Sequence, residues 1–388
     1  MIPSRSVPTA EGRSRYGDAF DRLAPFLLQS DPLADAAVEA VVQHGARGKA
    51  WLDALAAGAL PVDAPEPLQA LRAQLEHVPL WVDWDRIDAG ARVLLGSGLL
   101  TGLVLAAKSI VLGYASPGGN KPLALSGALT SRAPRRLNET SRYVRGVLLP
   151  GGLRKGGEGY ALTVKVRLMH ARVRLLALRD SRWRTEEWGV PINQHDMVAT
   201  TLLFSEMLLQ GLETLGVTIR EAEGDAVTHL WRYAGHLMGV SGELLPTSRR
   251  EAQRLAELIE VSQAPPDDDS RRLTRALFEV PQLEVSGVPA AQRKAAEKFA
   301  YRSRELLSVA AYELLGAPLS KQLAIEPSPW RGALPLLRRL VRTSAFVART
   351  VPGFEARAVE AGRRYWDDVR DQGLLRYDAG FLLPERLG

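Results

Sequence analysis

The stretch 164-VKVRLMHARVRLLAL-178 mixes aliphatic side chains and arginines at the spacing of an α-helix. With a few residues added on each side, the pattern predicts a helix from Leu162 to Arg179. One face of this helix carries apolar side chains at i, i+4 and i+7, the spacing of a stripe that is buried against a core. The members of the stripe are Leu162, Val166, Met169, Val173 and Leu176.

A single imidazole, His170, lies beside this apolar stripe. An imidazole at the edge of a buried face needs partners for its ring nitrogens, either hydrogen bonds or a metal ion. Arg167 and Arg174 flank it, three residues before and four residues after. Their positive charge disfavours a protonated ring, which leaves His170 neutral and available as a ligand. On this pattern alone, a hydrogen-bonded core histidine and arginines on a solvated face are open alternatives.

The rest of the chain also predicts helices, and alternating strand patterns closed by tight turns are scarce. Gly216 is expected to end one helix, Asp225 to cap the next, and Pro265-Pro266 to separate two others. The fold class indicated is all-α, a large helical bundle with additional N- and C-terminal helices. The further ranges with helical periodicity are 32–46, 66–78, 197–216, 225–240, 247–263, 291–316 and 333–351.

The composition excludes several kinds of chemistry. The chain has 388 residues, enough for one large domain or two smaller ones, and it contains no cysteine. Disulfides, zinc–thiolate sites, iron–sulfur clusters and other thiolate-ligated metal centres are therefore excluded. Any metal chemistry must use the six histidines or carboxylates. The net charge of +6 comes without a nucleic-acid-binding motif, so no nucleic acid partner is expected.

The most apolar segment is 93-VLLGSGLLTGLVLAAKSIVLGY-114. Its uncharged part ends at Lys108 and contains three glycines, so we expect a buried helix rather than a transmembrane segment. Weak association with a membrane is the alternative. The N-terminal sequence, MIPSRSVPTAEGRSRYG, lacks the apolar region of a secretory signal. This favours a cytoplasmic location, or a secreted one if a signal has been removed.

A second cluster of polar residues lies in 134-PRRLNETSRYVRGVLLPGG-152. Pro134 can open a helix, and Arg136, Glu139 and Thr140 then share one face at i, i+3 and i+4. An arginine, a carboxylate and a hydroxyl together can form a polar pocket that positions a small ligand and moves protons. An ion pair on the surface of a helix is the alternative interpretation.

The remaining histidines of interest are interpreted as structural. His229 and His236 are seven residues apart, which is not the i, i+4 spacing of a HExxH metal pair. The WRYAG sequence between them mixes aromatic and small residues, as core packing does. His195 lies at a loop or helix start and is expected to be part of a helix cap.

Six short motifs in a fixed order resemble the DUF2236 family, which comprises the latex clearing proteins (rubber oxygenases) and the MpaB-type oxygenases. The resemblance covers about residues 75 to 245. It implies an oxygenase core over 75–245, an N-terminal helical extension over 1–74, and C-terminal helices over 246–388 that pack on the core. The motifs are 80-LWVDWDRIDAGA-91, 112-LGYASP-117, 135-RRLNETSRYV-144, 166-VRLMHARVR-174, 188-WGVPINQHDM-197 and 229-HLWRYAGHLMGV-240.

The resemblance implies a haem b protein with a globin-related helical core. His170 matches the histidine of the family's RLMHA motif, the proximal ligand of the haem iron. Arg136 and Thr140 match the family's RxxxT motif, which lines the distal side. Arg167 and Arg174 are expected to bind the haem propionates, because guanidinium groups pair well with carboxylates.

The chain departs from the family at Glu139. Rubber oxygenases have a lysine there, which can cap the distal iron position. A carboxylate could leave that position open to oxygen, bind differently, or accept a proton. The family's distal glutamate, proposed as a catalytic base, would fall in 116-SPGGNKPLALSG-127, which contains no acidic residue. This departure raises the question of whether polyisoprene is the substrate.

These features predict a haem-dependent dioxygenase, an iron-containing oxidoreductase that uses molecular oxygen to cleave a carbon–carbon double bond. The substrate expected is an apolar olefin or isoprenoid, small or polymeric. Arg136, Glu139 and Thr140 are the predicted catalytic residues, and His170 is the predicted metal ligand. The alternatives are a peroxygenase or peroxidase-like oxidation of a smaller molecule, a non-catalytic haem or gas-binding protein, and a cofactor-free helical interaction protein.

Overall fold

In the computed structural model, the chain folds into helices. The structure describes residues 2–6, 10–126, 129–285 and 292–371, and within them the only β-type pairing is an isolated bridge between Ser6 and Gln263. The prediction of an all-α fold is confirmed. The α-helices are α1 (Ala10–Tyr16), α2 (Asp18–Leu23), α3 (Pro32–Val42), α4 (Gly45–Ala56), α5 (Glu66–Glu76), α6 (Trp84–Gly96), α7 (Gly98–Val104), α8 (Ile110–Ala115), α9 (Lys121–Leu125), α10 (Leu129–Leu148), α11 (Glu158–Arg179), α12 (Thr185–Trp188), α13 (Gln194–Phe204), α14 (Glu206–Thr214), α15 (Glu221–Leu237), α16 (Arg249–Ser262), α17 (Asp268–Val285), α18 (Arg293–Gln322), α19 (Leu334–Thr350) and α20 (Phe354–Asp371).

Helix α11 forms where the apolar periodicity predicts it. It begins at Glu158, one turn before the predicted start, and it ends at Arg179 as predicted. Helices α3, α4, α10 and α15 pack around it. A helix with neighbours on several sides needs buried residues on more than one face, and α11 has them.

One apolar core contains residues from all three predicted segments, 1–74, 75–245 and 246–388. Its buried members run from Ala34 in α3 to Trp366 in α20, and a smaller cluster that includes Phe20 and Ile259 lies beside it. The N-terminal and C-terminal helices therefore pack on the same core as the middle of the chain. The boundaries near residues 74 and 245 stay a prediction.

The apolar segment 93–114 is helical, but it is not the one helix that was predicted. Helix α6 ends at Gly96, and α7 begins at Gly98, whose φ of +43° is readily adopted only by glycine. A π-helical turn, Leu105–Ser109, then precedes α8. The chain thus breaks at the glycines, which a helix-period pattern alone does not reveal.

By length and composition, Gly98–Ala115 is the one stretch among the described residues that could cross a membrane. Half of it is buried inside the protein. Val104 and Ala107 have no exposed surface, and they belong to the main apolar core.

Three further expectations about helix boundaries are corrected. The range 197–216 is divided at Ser205 into α13 and α14. Asp225 does not cap its own helix, because α15 begins at Glu221. Its carboxylate instead accepts a hydrogen bond at 2.8 Å from the backbone N–H of Arg249, the first residue of α16. Pro134 likewise lies inside α10 rather than at its start.

Lys108 is the one charged residue in the apolar stretch Gly98–Ala115. It is 7% exposed, and its Nζ donates a hydrogen bond to Oε1 of Gln210 at 3.3 Å. Burial lowers the pKa of the amine to about 8, although the carboxylate of Glu206 opposes the shift. Relative to the unfolded chain, keeping this amine charged at neutral pH costs on the order of 3 kcal/mol.

We therefore expect Lys108→Met to raise the free energy of unfolding at pH 7 by up to about 3 kcal/mol, because an apolar side chain of similar length carries no charge to bury. Between pH 8 and 10.5 the unfolded wild-type chain binds the proton more strongly than the folded one. Wild-type stability therefore rises with pH in this range, and the advantage of the variant shrinks. Urea unfolding at pH 7 and pH 10 measures both effects. The exposed Lys155→Met is the control, and an advantage that grows with pH would contradict the account.

Candidate functional site

Helices α10 and α11 touch closely at one end. A Cβ atom on Gly146 would lie 3.1 Å from the backbone nitrogen of Gly159, and a Cβ on Gly159 would lie 2.6 Å from the carbonyl oxygen of Gly146. Only glycine allows this approach of two backbones. One turn away, Tyr143 and Thr163 are hydrogen-bonded. The earlier residue of α10, Tyr143, contacts the later residue of α11, Thr163. The two helices are therefore antiparallel.

In this antiparallel arrangement, the predicted polar cluster of α10 and the His170 segment of α11 lie at the same height along the helix pair. Arg136 lies ten residues before Gly146, and His170 lies eleven residues after Gly159. At a rise of 1.5 Å per residue, both are roughly 16 Å from the glycine contact along their helices. In this register Arg136, Glu139 and Thr140 of α10 lie at about the level of His170 along the neighbouring helix α11.

Beyond this contact both helices carry partly exposed side chains, and the space that these side chains border is called the cleft here. Near the glycines, Val144 and Val147 of α10 are 1% exposed. Farther along, residues 135–142 all keep partial exposure. On α11 the predicted apolar stripe is buried only at Leu162, and its other four members are partly exposed. The face that packs on the protein instead contains Val164, Leu168 and Ala171.

His170 lies in the wall of this cleft and keeps partial exposure. Burial, followed by the positive charge of Arg174, lowers its pKa to about 4, so the ring is neutral at pH 7. Its Nδ1 is buried, and within the described residues no hydrogen bond reaches either ring nitrogen. A neutral imidazole with free lone pairs can ligate a metal ion.

Arg167 has partners that the sequence analysis did not foresee. Its Nε and Nη2 donate to the two carboxylate oxygens of Asp31, at 2.6 and 2.9 Å, and both side chains are almost fully buried. Its Nη1 donates to Oε1 of Gln74 at 2.6 Å and to the carbonyl oxygen of Leu237 at 3.1 Å. The expectation that Arg167 binds a carboxylate of a cofactor is corrected, because this guanidinium is already engaged inside the protein.

The close packing around Arg167 explains one glycine of the last motif. Gly239 has a φ of +87°, and a Cβ there would lie 2.6 Å from Nε of Arg167 and 2.4 Å from Oδ2 of Asp31. A larger residue would both strain the backbone and displace the ion pair. The motif over 229–240 thus packs against the ion pair that joins α11 to the N-cap residue of α3.

Arg174 is anchored in a similar way, one residue after the cleft-facing Val173. Its Nε donates to Oδ1 of Asp35 at 2.7 Å, and its Nη1 donates to the carbonyl oxygen of Ile192 at 2.6 Å. These contacts fix α11 to α3 and to the loop before α13. The Nη2 atom is buried and has no hydrogen-bond partner within the described residues, so this one donor stays available to a bound carboxylate. The expected role of Arg174 is therefore corrected in part.

On α10 the predicted catalytic residues have different partners from those expected. Glu139 accepts a hydrogen bond at 2.8 Å from Nε of Arg135, four residues earlier, and not the i, i+3 pairing with Arg136. Arg136 is hydrogen-bonded to Tyr114 at the end of α8. Burial raises the pKa of this tyrosine, and the charge of Arg136 partly opposes the shift. Tyr114 was not predicted as a site residue, although the 112-LGYASP-117 motif contains it.

Three other histidines, His195, His229 and His236, have surroundings that fit structural roles. The Nε2 atom of His229 accepts a hydrogen bond at 3.0 Å from the backbone N–H of Asp83. The Nε2 atom of His236 lies 3.3 Å from Nε2 of Gln74. His195 is 3% exposed beside Asp196, in the first turn of α13. The cap of that helix is Asn193, whose Oδ1 accepts from the N–H of Asp196 at 2.9 Å.

Comparison with known proteins identifies the class of protein to which this fold and site are similar. The family described as ER-bound oxygenase mpaB/B′/rubber oxygenase, catalytic domain, matches residues 84–346. The rubber oxygenase of Streptomyces sp. (strain K30) is 26% identical over 228 residues, which are 56% of this chain and 55% of that protein. The chain thus spans about half the length of this curated relative. A latex clearing protein in its closed state has a similar fold, with a TM-score of 0.60 and 22% identity, over 88% of this chain and 91% of that one.

The class defined by this match is that of helical oxygenases. The chain belongs to the family of mpaB/B′ and rubber oxygenase catalytic domains, since the match covers more than half of its length. The resemblance inferred from the six motifs is confirmed, and the family assignment supports the expected oxygenase class. The match also extends well beyond residue 245, where the resemblance had been expected to end.

Proposed function

We propose that this protein is a haem b-dependent dioxygenase that cleaves a carbon–carbon double bond of an apolar olefin or isoprenoid. The observation that carries the proposal is the state of His170. Its imidazole is neutral, lies in the wall of a cleft, and has no hydrogen bond within the described residues. Buried polar atoms without a partner are rare in folded proteins. An unpartnered ring in a cleft therefore supports a ligand at this point.

A haem fits these residues in three respects. A porphyrin brings four ligands to its iron, so one histidine is enough to hold it in a protein. The partly exposed Val166, Met169 and Val173 give the cleft an apolar wall, which suits a flat apolar ring. The free Nη2 of Arg174 can donate a hydrogen bond to a propionate. When bound, the haem would supply the iron that binds and activates molecular oxygen.

The residues of α10 would supply the polar chemistry of the reaction. Arg136, positioned by Tyr114, would direct N–H donors toward negative charge that develops in the cleft. Thr140 would add a hydroxyl on the same face. Glu139, held by Arg135, would accept a proton from the reacting groups. In this proposal Glu139 takes part directly, whereas the lysine that rubber oxygenases have at this position can cap the iron.

The substrate proposed is an apolar olefin. The name of the curated relative points to rubber, an apolar polymer, and this supports a substrate of that kind for the present chain. The apolar side chains along the cleft would bind such a molecule by removing its surface from water. The exchange of lysine for Glu139 motivates tests with small isoprenoids as well as with polyisoprene.

Incubation of the haem-loaded protein with squalene or polyisoprene under isotopically heavy oxygen gas tests the proposal. We expect two carbonyl products from each cleavage, each with one heavy oxygen atom. Cleavage that requires added peroxide instead of oxygen gas would indicate the peroxygenase alternative. Reversible carbon monoxide binding without turnover of any olefin would indicate a gas-binding protein. Either outcome would overturn the dioxygenase proposal.

Arg136→Leu is expected to keep the haem and to lose most of the activity. Removing one preorganised donor at a site of developing charge typically lowers the turnover number ~100-fold. The Soret absorbance of the variant reports haem content, and product formation under oxygen reports turnover. The control is Arg179→Leu, an exposed arginine at the end of α11. Equal turnover in the Arg136 variant and the wild type would exclude Arg136 from the reaction.

A further inference from the structure

A second cavity lies away from the cleft, between α17, α18 and the turn that follows α18. Its volume is about 160 Å³, enough for several water molecules. None of the residues that line it belongs to the candidate active site. Three of them are arginines, and one, Glu279, is a carboxylate, so the lining is positively charged.

Two of these arginines are exposed to solvent at the cavity and form no ion pair within the described residues. Arg275 of α17 and Arg304 of α18 approach the cavity from different helices. Within the described part of the chain, neither guanidinium lies within 4.0 Å of a carboxylate. Arg271, the third, donates from Nε to the carbonyl oxygen of Gln322 at 2.9 Å and thereby ties α17 to the turn after α18. Two uncompensated guanidinium groups at one cavity are the donors that bind oxyanions best in proteins.

The cavity also contains a buried hydroxyl without a partner. Thr274 is 1% exposed, and its Oγ1 has no hydrogen bond among the described residues. Buried threonines in other helices of this chain donate to the carbonyl oxygen four residues earlier, as Thr163 and Thr228 do at 2.6 and 3.0 Å. A buried hydroxyl that forgoes this bond is costly unless something else accepts from it. Its position in the lining makes a bound oxyanion that acceptor.

We propose that this cavity binds a small organic anion by a phosphate or carboxylate head group. Arg275 and Arg304 would bind its oxygens from two sides, and Thr274 would donate a hydrogen bond from the buried wall. Phe278 and Ile325, both less than 10% exposed, would contact an apolar part of the molecule. The proposal goes beyond oxygenase chemistry and does not depend on haem, because it rests on residues of α17, of α18 and of the turn after α18.

Calorimetric titration of the full-length protein with phenyl phosphate and with hexanoate, at matched ionic strength, tests the site. We expect saturable binding of at least one of the two anions, and the preferred one identifies the head group. The double variant Arg275→Gln/Arg304→Gln is expected to bind at least tenfold more weakly. Arg272→Gln is the matched control, because this exposed arginine of α17 pairs with Asp269 and does not line the cavity. Absence of saturable binding for both anions, or equal binding by the double variant, would overturn the proposal.

Thr274→Val provides an independent readout. Valine has the shape of threonine, and the lost hydroxyl bonds nothing in the described structure, so the thermal midpoint without anion should not fall. The same variant should bind the anion several-fold more weakly and show a smaller rise in thermal midpoint on its addition. A variant that folds normally and binds as tightly as the wild type would contradict the assigned role of Thr274.

Discussion

Purified His170→Ala protein is expected to lose most of its haem while it keeps its fold. Removing the proposed iron ligand should lower the affinity for haem by at least ~10–100-fold, since even loss of a residue that only supports a ligand has an effect of that size. Within the described residues His170 makes no hydrogen bond, so its truncation breaks none. The ratio of Soret to protein absorbance measures haem content, and far-ultraviolet circular dichroism measures helicity.

His229→Ala is the matched control for this experiment. The imidazole of His229 accepts a hydrogen bond from the N–H of Asp83, and it stacks edge-on against Trp81. Its loss should therefore lower stability and leave haem content unchanged. Addition of free imidazole should restore part of the haem binding to the His170 variant and none of the stability of the His229 variant. A His170→Ala protein with full haem content and an unaltered spectrum would disprove the ligand assignment.

Arg167→Met is expected to destabilise the protein by about 3–5 kcal/mol, the usual effect of breaking a buried ion pair from one side. Asp31 would remain 3% exposed without its two-pronged partner, and the carbonyl oxygen of Leu237 would lose a donor. Urea unfolding monitored by circular dichroism measures the loss. Because Arg167 fixes α11 to α3, haem affinity should fall together with stability.

Two further variants separate the ion pair from other effects of the Arg167 substitution. Adding Asp31→Asn to Arg167→Met should recover part of the lost stability, since the unpaired charge is then removed. Arg182→Met breaks the exposed pair with Asp180 and should leave the unfolding curve unchanged, because solvent screens such pairs. An Arg167 variant with wild-type stability would show that the buried pair does not hold α11 in place.

The parts of the fold that were predictable from the sequence depend on local patterns. The end of α11 at Arg179 and the break after Pro265-Pro266 follow from helical periodicity and from proline, which act within a few residues. The break at Gly98 was missed, because a glycine in an apolar helical pattern can either lie inside a continuous helix or end it. The neighbouring residues do not distinguish a continuous helix from a break.

The parts of the site that could not be predicted depend on contacts between distant segments. Arg167 and Arg174 were assigned to a cofactor, whereas their carboxylate partners, Asp31 and Asp35, come from a helix more than 130 residues earlier. A usable signal was present, because Asp31 and Asp35 are four residues apart and Arg167 and Arg174 are seven apart, so each pair lies on one side of its helix. Tyr114 could have been found from a different signal, because it lies in a motif that the chain shares with the family.

The apolar stripe of α11 correctly predicted a helix, but it was wrong about which face of that helix is buried. The stripe predicted a face buried in the core, and the helix forms as expected. In the structure, however, Val166, Met169 and Val173 border the cleft, and the opposite face packs on the protein. Apolar residues at helical spacing indicate contact with something apolar, and the sequence does not state whether this is protein or a bound molecule.

The absorption spectrum of the purified protein, as isolated and after reduction under carbon monoxide, tests the central claim most directly. If His170 ligates haem iron, the wild-type protein, supplied with haem during expression, should show a Soret band that shifts on reduction and again on carbon monoxide binding. A colourless protein under these conditions, or a carbon monoxide spectrum identical in wild type and His170→Ala, would contradict the account.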